Sequence, residues 1–191
     1  MRAFIAVDFP ETILKKLSEI ISFFQSQVPD EAVKWVAPEN THLTIKFIGD
    51  LPPDRLGQVK DILQSSLEKQ KAFEIAIKGL GMFPNKRAPR VIWLGISEGE
   101  PLITIHHKLD TALEKADINR DKREFSPHLT IARIRGKTDR KMTQEIGKTL
   151  SEYKIRSLGR VTIEQITLYQ SDLTSTGPIY TPLLTIPLDK V

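Results

Sequence analysis

The string His42-Leu43-Thr44-Ile45 occurs twice in this chain, the second time as His128-Leu129-Thr130-Ile131. The two copies begin 86 residues apart, at 42 and 128, in a chain of 191 residues, so one copy falls in each half. The chain has four histidines, and composition alone rarely makes two of them open the same tetrapeptide. The repeat therefore indicates an internal duplication that carries one motif per half.

Each copy is predicted to lie in a β-strand, because apolar and polar residues alternate along it. Successive side chains of a strand point to opposite faces, so His42 shares a face with Thr44, and His128 shares one with Thr130. The leucine and isoleucine of each copy then point into the core. A single copy of this kind is more often a solvated strand face than a functional site. Two related copies that meet across a cleft favour a functional site.

Two facing imidazoles and two hydroxyls suit an in-line displacement at phosphorus. Imidazole titrates at about pH 6.5, so one ring can take a proton from the attacking water while the other gives a proton to the leaving alkoxide. The threonine hydroxyls donate hydrogen bonds to the non-bridging oxygens, where charge develops. This arrangement needs no metal, and two histidines without a third ligand make a poor zinc site.

Outside the motifs the chain alternates short apolar strands with amphipathic helices, which predicts an α+β fold with two similar halves. One strand is predicted to run from Arg160 to Leu168 without a break. The other predicted elements are strands at 2–8, 33–36, 41–48, 73–80, 91–96, 128–134 and 179–186, and helices at 10–27, 53–71, 101–116 and 139–153.

The composition excludes several classes of protein. Hydrophobic residues make up 40% of the chain and charged residues 27%, the balance of a soluble globular domain. There is no cysteine, which excludes a disulfide framework, a thiolate zinc site and a cysteine nucleophile. No apolar run approaches the ~18 residues of a membrane span, so we expect a cytoplasmic protein without membrane contact. The net charge of +4 permits a polyanionic substrate without proving one.

The two motifs and their surroundings resemble the two-histidine (2H) phosphoesterase superfamily. Within it the chain is most similar to the RNA 2′,3′-cyclic phosphodiesterases, a family once named 2′-5′ RNA ligases. The resemblance spans nearly the whole chain. It is carried by Met1-Arg2-Ala3-Phe4-Ile5-Ala6, His42-Leu43-Thr44-Ile45-Lys46-Phe47-Ile48-Gly49, Ser126-Pro127-His128-Leu129-Thr130-Ile131-Ala132-Arg133, Leu168-Tyr169-Gln170-Ser171-Asp172-Leu173 and Gly177-Pro178-Ile179-Tyr180.

The resemblance implies a role for each polar residue of the motifs. His42 is expected to donate a proton to the leaving oxygen, and His128 to accept a proton from the attacking water. Thr44 and Thr130 are expected to bind the phosphate. These roles follow from the resemblance, because the spacing alone does not say which histidine is the donor.

The resemblance also implicates Phe47 and Arg133, each five residues after a motif histidine. A guanidinium beside the phosphate adds fixed positive charge, and Phe47 is expected to line the cleft near a base. Strict alternation, however, places both side chains on the face of the motif leucines. Either the strand contains a bulge or ends before residue 133, or Arg133 lies at the rim. For Phe47 a core position is an equally good interpretation.

These observations predict one α+β domain over residues 1–191, bilobal, with two pseudo-two-fold-related antiparallel sheets lining a central cleft and helices outside. The expected function is hydrolysis of 2′,3′-cyclic phosphate RNA ends, tRNA fragments among them, to 2′-phosphomonoesters. We expect a monomer that uses no metal and no cofactor. Two alternatives stay open: ATP-independent 2′-5′ joining of RNA ends, and a non-catalytic module that binds RNA ends or nucleotides.

Three other polar residues are expected to lie at the protein surface. His106 and His107 are adjacent on a predicted helix, so their side chains point about 100° apart and cannot share a metal. Both are expected to be surface residues. Lys46, beside the first motif, is expected either to be solvated or to contact an RNA backbone.

Overall fold

The computed structural model describes residues 1–175 and 177–190, which form nine β-strands in two sheets and four α-helices. The strands are β1 (Arg2–Val7), β2 (Val33–Trp35), β3 (Leu43–Asp50), β4 (Phe73–Phe83), β5 (Val91–Ser97), β6 (His128–Ile134), β7 (Gly159–Ile163), β8 (Gln165–Leu173) and β9 (Pro178–Pro187). The helices are α1 (Glu11–Gln25), α2 (Leu56–Leu67), α3 (Glu100–Leu113) and α4 (Arg140–Ser151). Each helix lies between two strands along the chain, as the sequence pattern predicts.

Both sheets are antiparallel, and their strand orders correspond. One sheet has the order β3-β1-β8-β9 and the other the order β2-β6-β5-β4-β7. The first sheet starts from the motif strand β3 and continues through β1 and β8 to β9. In the second sheet the same four positions are taken by the motif strand β6 and by β5, β4 and β7. β2 is an additional strand that pairs with β6. The correspondence confirms the expected α+β fold with two related antiparallel sheets.

Each sheet is assembled from both halves of the chain. β4 belongs to the first half of the sequence but pairs with β7 of the second half, whereas β8 and β9 return to the sheet of β1. The prediction of one strand over Arg160–Leu168 is wrong, because the chain changes sheet at Glu164. Glu164 and Gln165 are both exposed, so the alternation of buried and exposed residues breaks at this point.

The side chains that face away from the motif histidines form one hydrophobic core to which both sheets contribute. The motif residues Leu43, Ile45, Leu129 and Ile131 are each at most 1% exposed, as their alternation with polar residues predicts. The helices cover this side of the sheets with apolar faces. On α1 the buried face consists of Ile13, Leu17, Ile21 and Phe24. Within the described residues, no helix is both long and apolar enough to cross a membrane.

Candidate active site

The two motifs occupy matching positions in the two sheets. β3 begins directly after His42, and β6 begins at His128. These strands belong to different sheets but approach each other where the sheets meet. Residues 42–48 and 128–134 show the same succession of buried, partly buried and exposed positions. The duplicated motif therefore has a duplicated conformation, with both histidine–threonine pairs on partly exposed faces.

A β-bulge at the fourth residue of each motif changes which side chains share a face. On β3 the residues on either side of Ile45 pair with consecutive residues of β1, so Ile45 is the extra residue. On β6 the extra residue is Ile131, opposite β5. An extra residue shifts the alternation by one position. Phe47 and Arg133 therefore lie on the faces of their motif histidines, and the conflict created by strict alternation disappears.

The exposure of Phe47 and Arg133 agrees with this placement. The Phe47 side chain is 65% exposed, so the interpretation of Phe47 as a core residue is wrong. Its ring centroid lies 6.3 Å from that of Phe4, on which His42 stacks. Arg133 forms no salt bridge with an acidic group in the part of the chain that the structure describes. Burial raises the pKa of Tyr180 in the other sheet, and the charge of Arg133 opposes that rise, so Arg133 lies close enough to Tyr180 to act on it.

His42 is partly exposed, and aromatic rings cover part of its imidazole. It stacks on Phe4 with ring centroids 4.6 Å apart, meets Tyr180 edge-on at 4.9 Å and lies 6.3 Å from the Tyr169 ring. Burial disfavours the imidazolium and lowers the pKa of His42 to about 4, although a hydrogen bond to the Asn40 backbone acts in the opposite direction. In the free protein His42 is therefore neutral at pH 7.

His128 has a hydrogen bond that determines its tautomer. Its Nδ1 lies 2.7 Å from the carbonyl oxygen of Ser126, and a carbonyl only accepts, so Nδ1 carries a proton and donates it. Nε2 is thereby left free for proton transfer. Phe83 meets the ring edge-on at 5.0 Å, and the Trp93 indole lies 5.9 Å away. The first motif shows the same relation, since its histidine also bonds to the backbone two residues earlier.

The two motif threonines form no side-chain hydrogen bond within the described part of the chain. Thr44 and Thr130 are partly exposed on the histidine faces, and neither hydroxyl has a hydrogen-bond partner among residues 1–175 and 177–190. Both hydroxyls are therefore available to donate to the oxygens of a ligand. Together with the Arg133 guanidinium, they give the cleft the donors and the positive charge that a phosphate group needs.

Sequence reasoning missed Phe4 and Tyr169, whose rings lie beside His42, and Asp8, which binds the Tyr169 hydroxyl. Phe4 and Tyr169 pair directly across β1 and β8, and their rings stack at 5.4 Å. The Tyr169 hydroxyl donates a 2.7 Å hydrogen bond to the Asp8 carboxylate, and burial raises the pKa of both groups. Phe4 and Tyr169 both stand in strings that resemble the family, but the sequence contains no signal that places them beside the first histidine.

A buried ion cluster lies behind β3 and contains two residues that the sequence analysis placed elsewhere. Lys46 is 1% exposed, and its Nζ is 2.6 Å from Asp110 and 3.2 Å from Asp121. His106 is 3% exposed, and its Nε2 lies 2.9 Å from the Asp121 carboxylate. The predictions that Lys46 is solvated or contacts RNA, and that His106 lies at the surface, are therefore wrong. The bulge turns Lys46 inward, and α3 turns His106 to the interior while His107 stays exposed.

The same cluster is the one group of His and acidic side chains, within the described residues, that lies close enough together to hold a metal ion. Its possible ligands are His106, Asp110 and Asp121, whose ligand atoms lie within 4.8 Å of one another. The Lys46 ammonium is already within ion-pair distance of both carboxylates. A second cation at this position would be repelled by that charge.

Comparisons with known proteins agree with this architecture. The family model of LigT-like phosphoesterases matches the chain twice, over residues 7–93 and 94–180, and each match contains one motif. A protein of Methanothermobacter thermautotrophicus named RNA 2′,3′-cyclic phosphodiesterase is 36% identical over 183 residues, which is 96% of each chain. A crystal structure of a Thermus thermophilus protein has a TM-score of 0.79 at 26% identity and covers 100% of this chain and 99% of that chain. The E. coli LigT complex with 3′-AMP has a TM-score of 0.74 at 25% identity and covers 98% of this chain and 97% of that chain.

The fold and the duplicated histidine motif are those of a two-histidine phosphoesterase. The chain belongs to the LigT-like phosphoesterase family. The family predicted from the motifs is thereby confirmed, and the double match confirms the internal duplication.

Proposed function

We propose that this chain hydrolyses 2′,3′-cyclic phosphates at RNA ends, tRNA fragments among them, to 2′-phosphomonoesters. The observation that carries the proposal is the pair of bulged motif strands. Each strand brings a histidine, a free threonine hydroxyl and an exposed side chain, Phe47 or Arg133, to one face. The name of the Methanothermobacter relative supports the substrate class. The E. coli LigT structure supports it as well, since that protein is complexed with 3′-AMP.

The proposed reaction consumes one water molecule. His128 Nε2 takes a proton from the water as the water oxygen bonds to phosphorus. The P–O3′ bond breaks, and His42 gives its proton to O3′. The hydroxyls of Thr44 and Thr130 donate to the non-bridging oxygens, and Arg133 balances their charge. After turnover His128 is protonated and His42 is neutral, so one proton returns through solvent before the next cycle.

The lowered pKa of His42 places a condition on this mechanism. With a pKa of about 4 in the free protein, His42 carries the donated proton in only a small fraction of molecules at pH 7. A phosphodiester anion in the cleft favours the imidazolium and raises this pKa. We infer that substrate binding loads the proton donor. NMR titration of the His42 ring with and without a nucleoside 2′-monophosphate tests this, and an unchanged pKa would contradict it.

The groups of the cleft also make a metal unnecessary in this proposal. Two imidazoles supply the proton transfers, and the two hydroxyls and a guanidinium supply the positive potential around the phosphate. We further propose that residues 1–191 act as one bilobal domain and as a monomer. Strands of each half complete the sheet of the other half, which supports a single domain.

The deciding experiment measures the hydrolysis of a nucleoside 2′,3′-cyclic phosphate in EDTA, with the product isomer resolved by phosphorus NMR. A 2′-phosphate product that disappears in His42→Asn and His128→Asn is the expected result. A 3′-phosphate product would overturn the assignment of O3′ as leaving oxygen. Loss of activity in EDTA with recovery on metal addition would overturn the metal-free mechanism. Binding without turnover would favour the non-catalytic module. Joining of the cyclic end to a 5′-hydroxyl RNA without ATP would favour the ligase.

A further inference from the structure

Lys46 follows the bulge of the first motif, and its counterpart in the second motif is Ala132. The bulge turns Lys46 away from the cleft into the interior. Its Nζ donates to the Asp110 carboxylate at 2.6 Å and to the backbone carbonyl of Asn119 at 3.1 Å, and it lies 3.2 Å from the Asp121 carboxylate. One side chain of the first half thus holds the irregular segment that precedes β6 in the second half.

Asp121 transmits this constraint to His106. Its carboxylate is engaged on both oxygens, by Lys46 at Oδ1 and by His106 Nε2 at Oδ2, 2.9 Å away. Its backbone N–H donates to Asp110 at 3.0 Å. Because Nε2 donates to a carboxylate that is itself anchored, the orientation of the buried His106 ring is determined relative to β3.

The His106 ring in turn positions Phe125. The two rings stack with centroids 4.4 Å apart and an angle of 8° between their planes. Phe125 is followed directly by Ser126, whose carbonyl accepts the 2.7 Å hydrogen bond from His128 Nδ1. The carbonyl that determines the tautomer of His128 is therefore held by the preceding aromatic ring. The contacts run without a gap from the first motif strand to the second catalytic candidate.

We propose that Lys46 is a positioning residue for His128. Its ammonium, through Asp121 and the ring stack of His106 on Phe125, holds the Ser126 carbonyl where it keeps the His128 proton on Nδ1. Nε2 then faces the cleft as the acceptor of a proton. The proposal rests on the proposed function of this site, because it gives His128 the proton transfer described above.

Two variants interrupt the chain of contacts without removing a charge from Lys46, Asp110 or Asp121. Phe125→Leu removes the ring stack, and His106→Phe keeps a ring against Phe125 but removes the bond to the Asp121 carboxylate. Phe125→Tyr is the conservative variant and keeps the stack. A matched control is Leu102→Ala. Leu102 is fully buried on α3, the helix that also carries His106, but it takes no part in this series of contacts, so the variant opens a cavity without interrupting the series.

Lys46, where this series of contacts begins, needs a variant of its own. Lys46→Met leaves the buried Asp110 carboxylate and the partly exposed Asp121 carboxylate without their cation and is expected to impair folding. It is therefore combined with Asp110→Asn and Asp121→Asn, which remove the unpaired charges. The folded triple variant lacks the ionic anchor and retains the ring stack.

The first readout is the tautomer of neutral His128, measured by long-range proton–nitrogen NMR. The wild type, Leu102→Ala and Phe125→Tyr are expected to carry the proton on Nδ1, whereas Phe125→Leu, His106→Phe and the triple variant are expected to show a mixture with Nε2–H. The second readout is kcat on a nucleoside 2′,3′-cyclic phosphate. It is expected to fall by about 10-fold to 100-fold in the same variants, while KM changes less than about two-fold.

An unchanged tautomer in Phe125→Leu and His106→Phe would overturn the proposal, whatever happens to activity. A loss of kcat no larger than that of Leu102→Ala would overturn it as well, since the effect would then be general destabilisation. The tautomer does not depend on turnover. A wild type that fails to hydrolyse the substrate therefore refutes the proposed function while leaving the positioning of His128 testable.

Discussion

The imidazole of His42 stacks on the ring of Phe4, with centroids 4.6 Å apart and an angle of 25° between the planes. Phe4 is 3% exposed although it stands on the cleft side of its sheet, so the first histidine rests on an apolar floor. Among the described residues no ring stacks on His128 in this way, since Phe83 meets it edge-on and the Trp93 indole is tilted by 59°. The two motifs are alike in backbone and different in environment, and this difference separates the chemistry of two identical tetrapeptides.

The burial of His42 predicts a loss of stability in acid. Its pKa is about 6.5 in an unfolded chain and about 4 in the folded protein, so between these values the unfolded chain binds a proton that the folded protein does not. Protonation then favours unfolding, and the loss grows as the pH falls from 6.5 to 4. His42→Asn lacks this titration and should lose less stability over the window, by up to about 3 kcal/mol. Urea denaturation at pH 7 and pH 4 measures it, and equal losses in both proteins would contradict the buried state of His42.

The donor and acceptor roles proposed for the two histidines predict different responses to the leaving group. A nitrophenolate leaves without protonation, so a diester that releases it needs no acid. His42→Asn should therefore lose about 100-fold or more on a nucleoside cyclic phosphate but much less on the nitrophenyl diester. His128→Asn should lose activity on both substrates. If His128→Asn were instead the variant whose kcat is retained on the nitrophenyl diester, His128 would be the proton donor and His42 the acceptor.

The exposure of Phe47 predicts that its ring affects binding more than stability. Since the side chain is 65% exposed, Phe47→Ala should change the free energy of unfolding by no more than about 0.5 kcal/mol. Loss of a stacking partner for the base should raise KM by about 5-fold to 100-fold. Phe23→Ala is the matched control, because Phe23 is an exposed ring on α1, 46% exposed. Equal KM values in the two variants would remove Phe47 from the site.

The hydroxyls of the motif threonines are expected to bind the phosphate. The value of kcat/KM should therefore depend on whether the hydroxyl is present and not on the volume of the side chain. Thr44→Val and Thr130→Val keep the shape of the side chain and remove the donor. Each should lower kcat/KM by about 10-fold to 100-fold, the value of a hydrogen bond to a charged group. The serine variants retain the hydroxyl and should stay close to the wild type. If valine and serine variants behave alike in steady-state kinetics, the hydroxyls do not contact the phosphate.

The position of Arg133 predicts a spectroscopic effect across the cleft. Burial raises the pKa of Tyr180, and the Arg133 charge opposes this, so Arg133→Met should raise that pKa further while Arg133→Lys should largely preserve it. The methionine variant should also lose about 10-fold to 100-fold in kcat/KM, since a charge-assisted hydrogen bond to the phosphate is removed. Ultraviolet titration of the tyrosines measures the first effect. A Tyr180 pKa that ignores residue 133 would place the guanidinium outside the cleft.

Much of the fold follows from local pattern. The boundaries of β3, β6 and the helices agree with prediction to within a few residues, because burial of every second or every third to fourth side chain leaves a period in the sequence. The change of sheet at Glu164 does not follow from local pattern. Both sides of that residue read as strand, and the choice of partner strand is made by distant residues.

Distant residues also decide the burial of Lys46 and His106, which local pattern therefore does not predict. A lysine beside an exposed motif and a histidine on a polar stretch of helix are ordinary surface residues by composition. They are buried because a carboxylate from α3 and another from the following segment converge on one ammonium. The sequence separation between Lys46 and Asp110 is 64 residues, beyond the reach of any local pattern.

The sequence by itself determined the duplication, the two histidine–threonine faces and the family, because a repeated tetrapeptide and a two-residue alternation are properties of neighbouring residues. The tertiary structure decided which further side chains join those faces. The bulges that carry Phe47 and Arg133 to the cleft exist only in the pairing of β3 with β1 and of β6 with β5. It also decided the proton affinity of His42, because the burial that lowers its pKa comes from rings on β1, β8 and β9, which long-range pairing brings together.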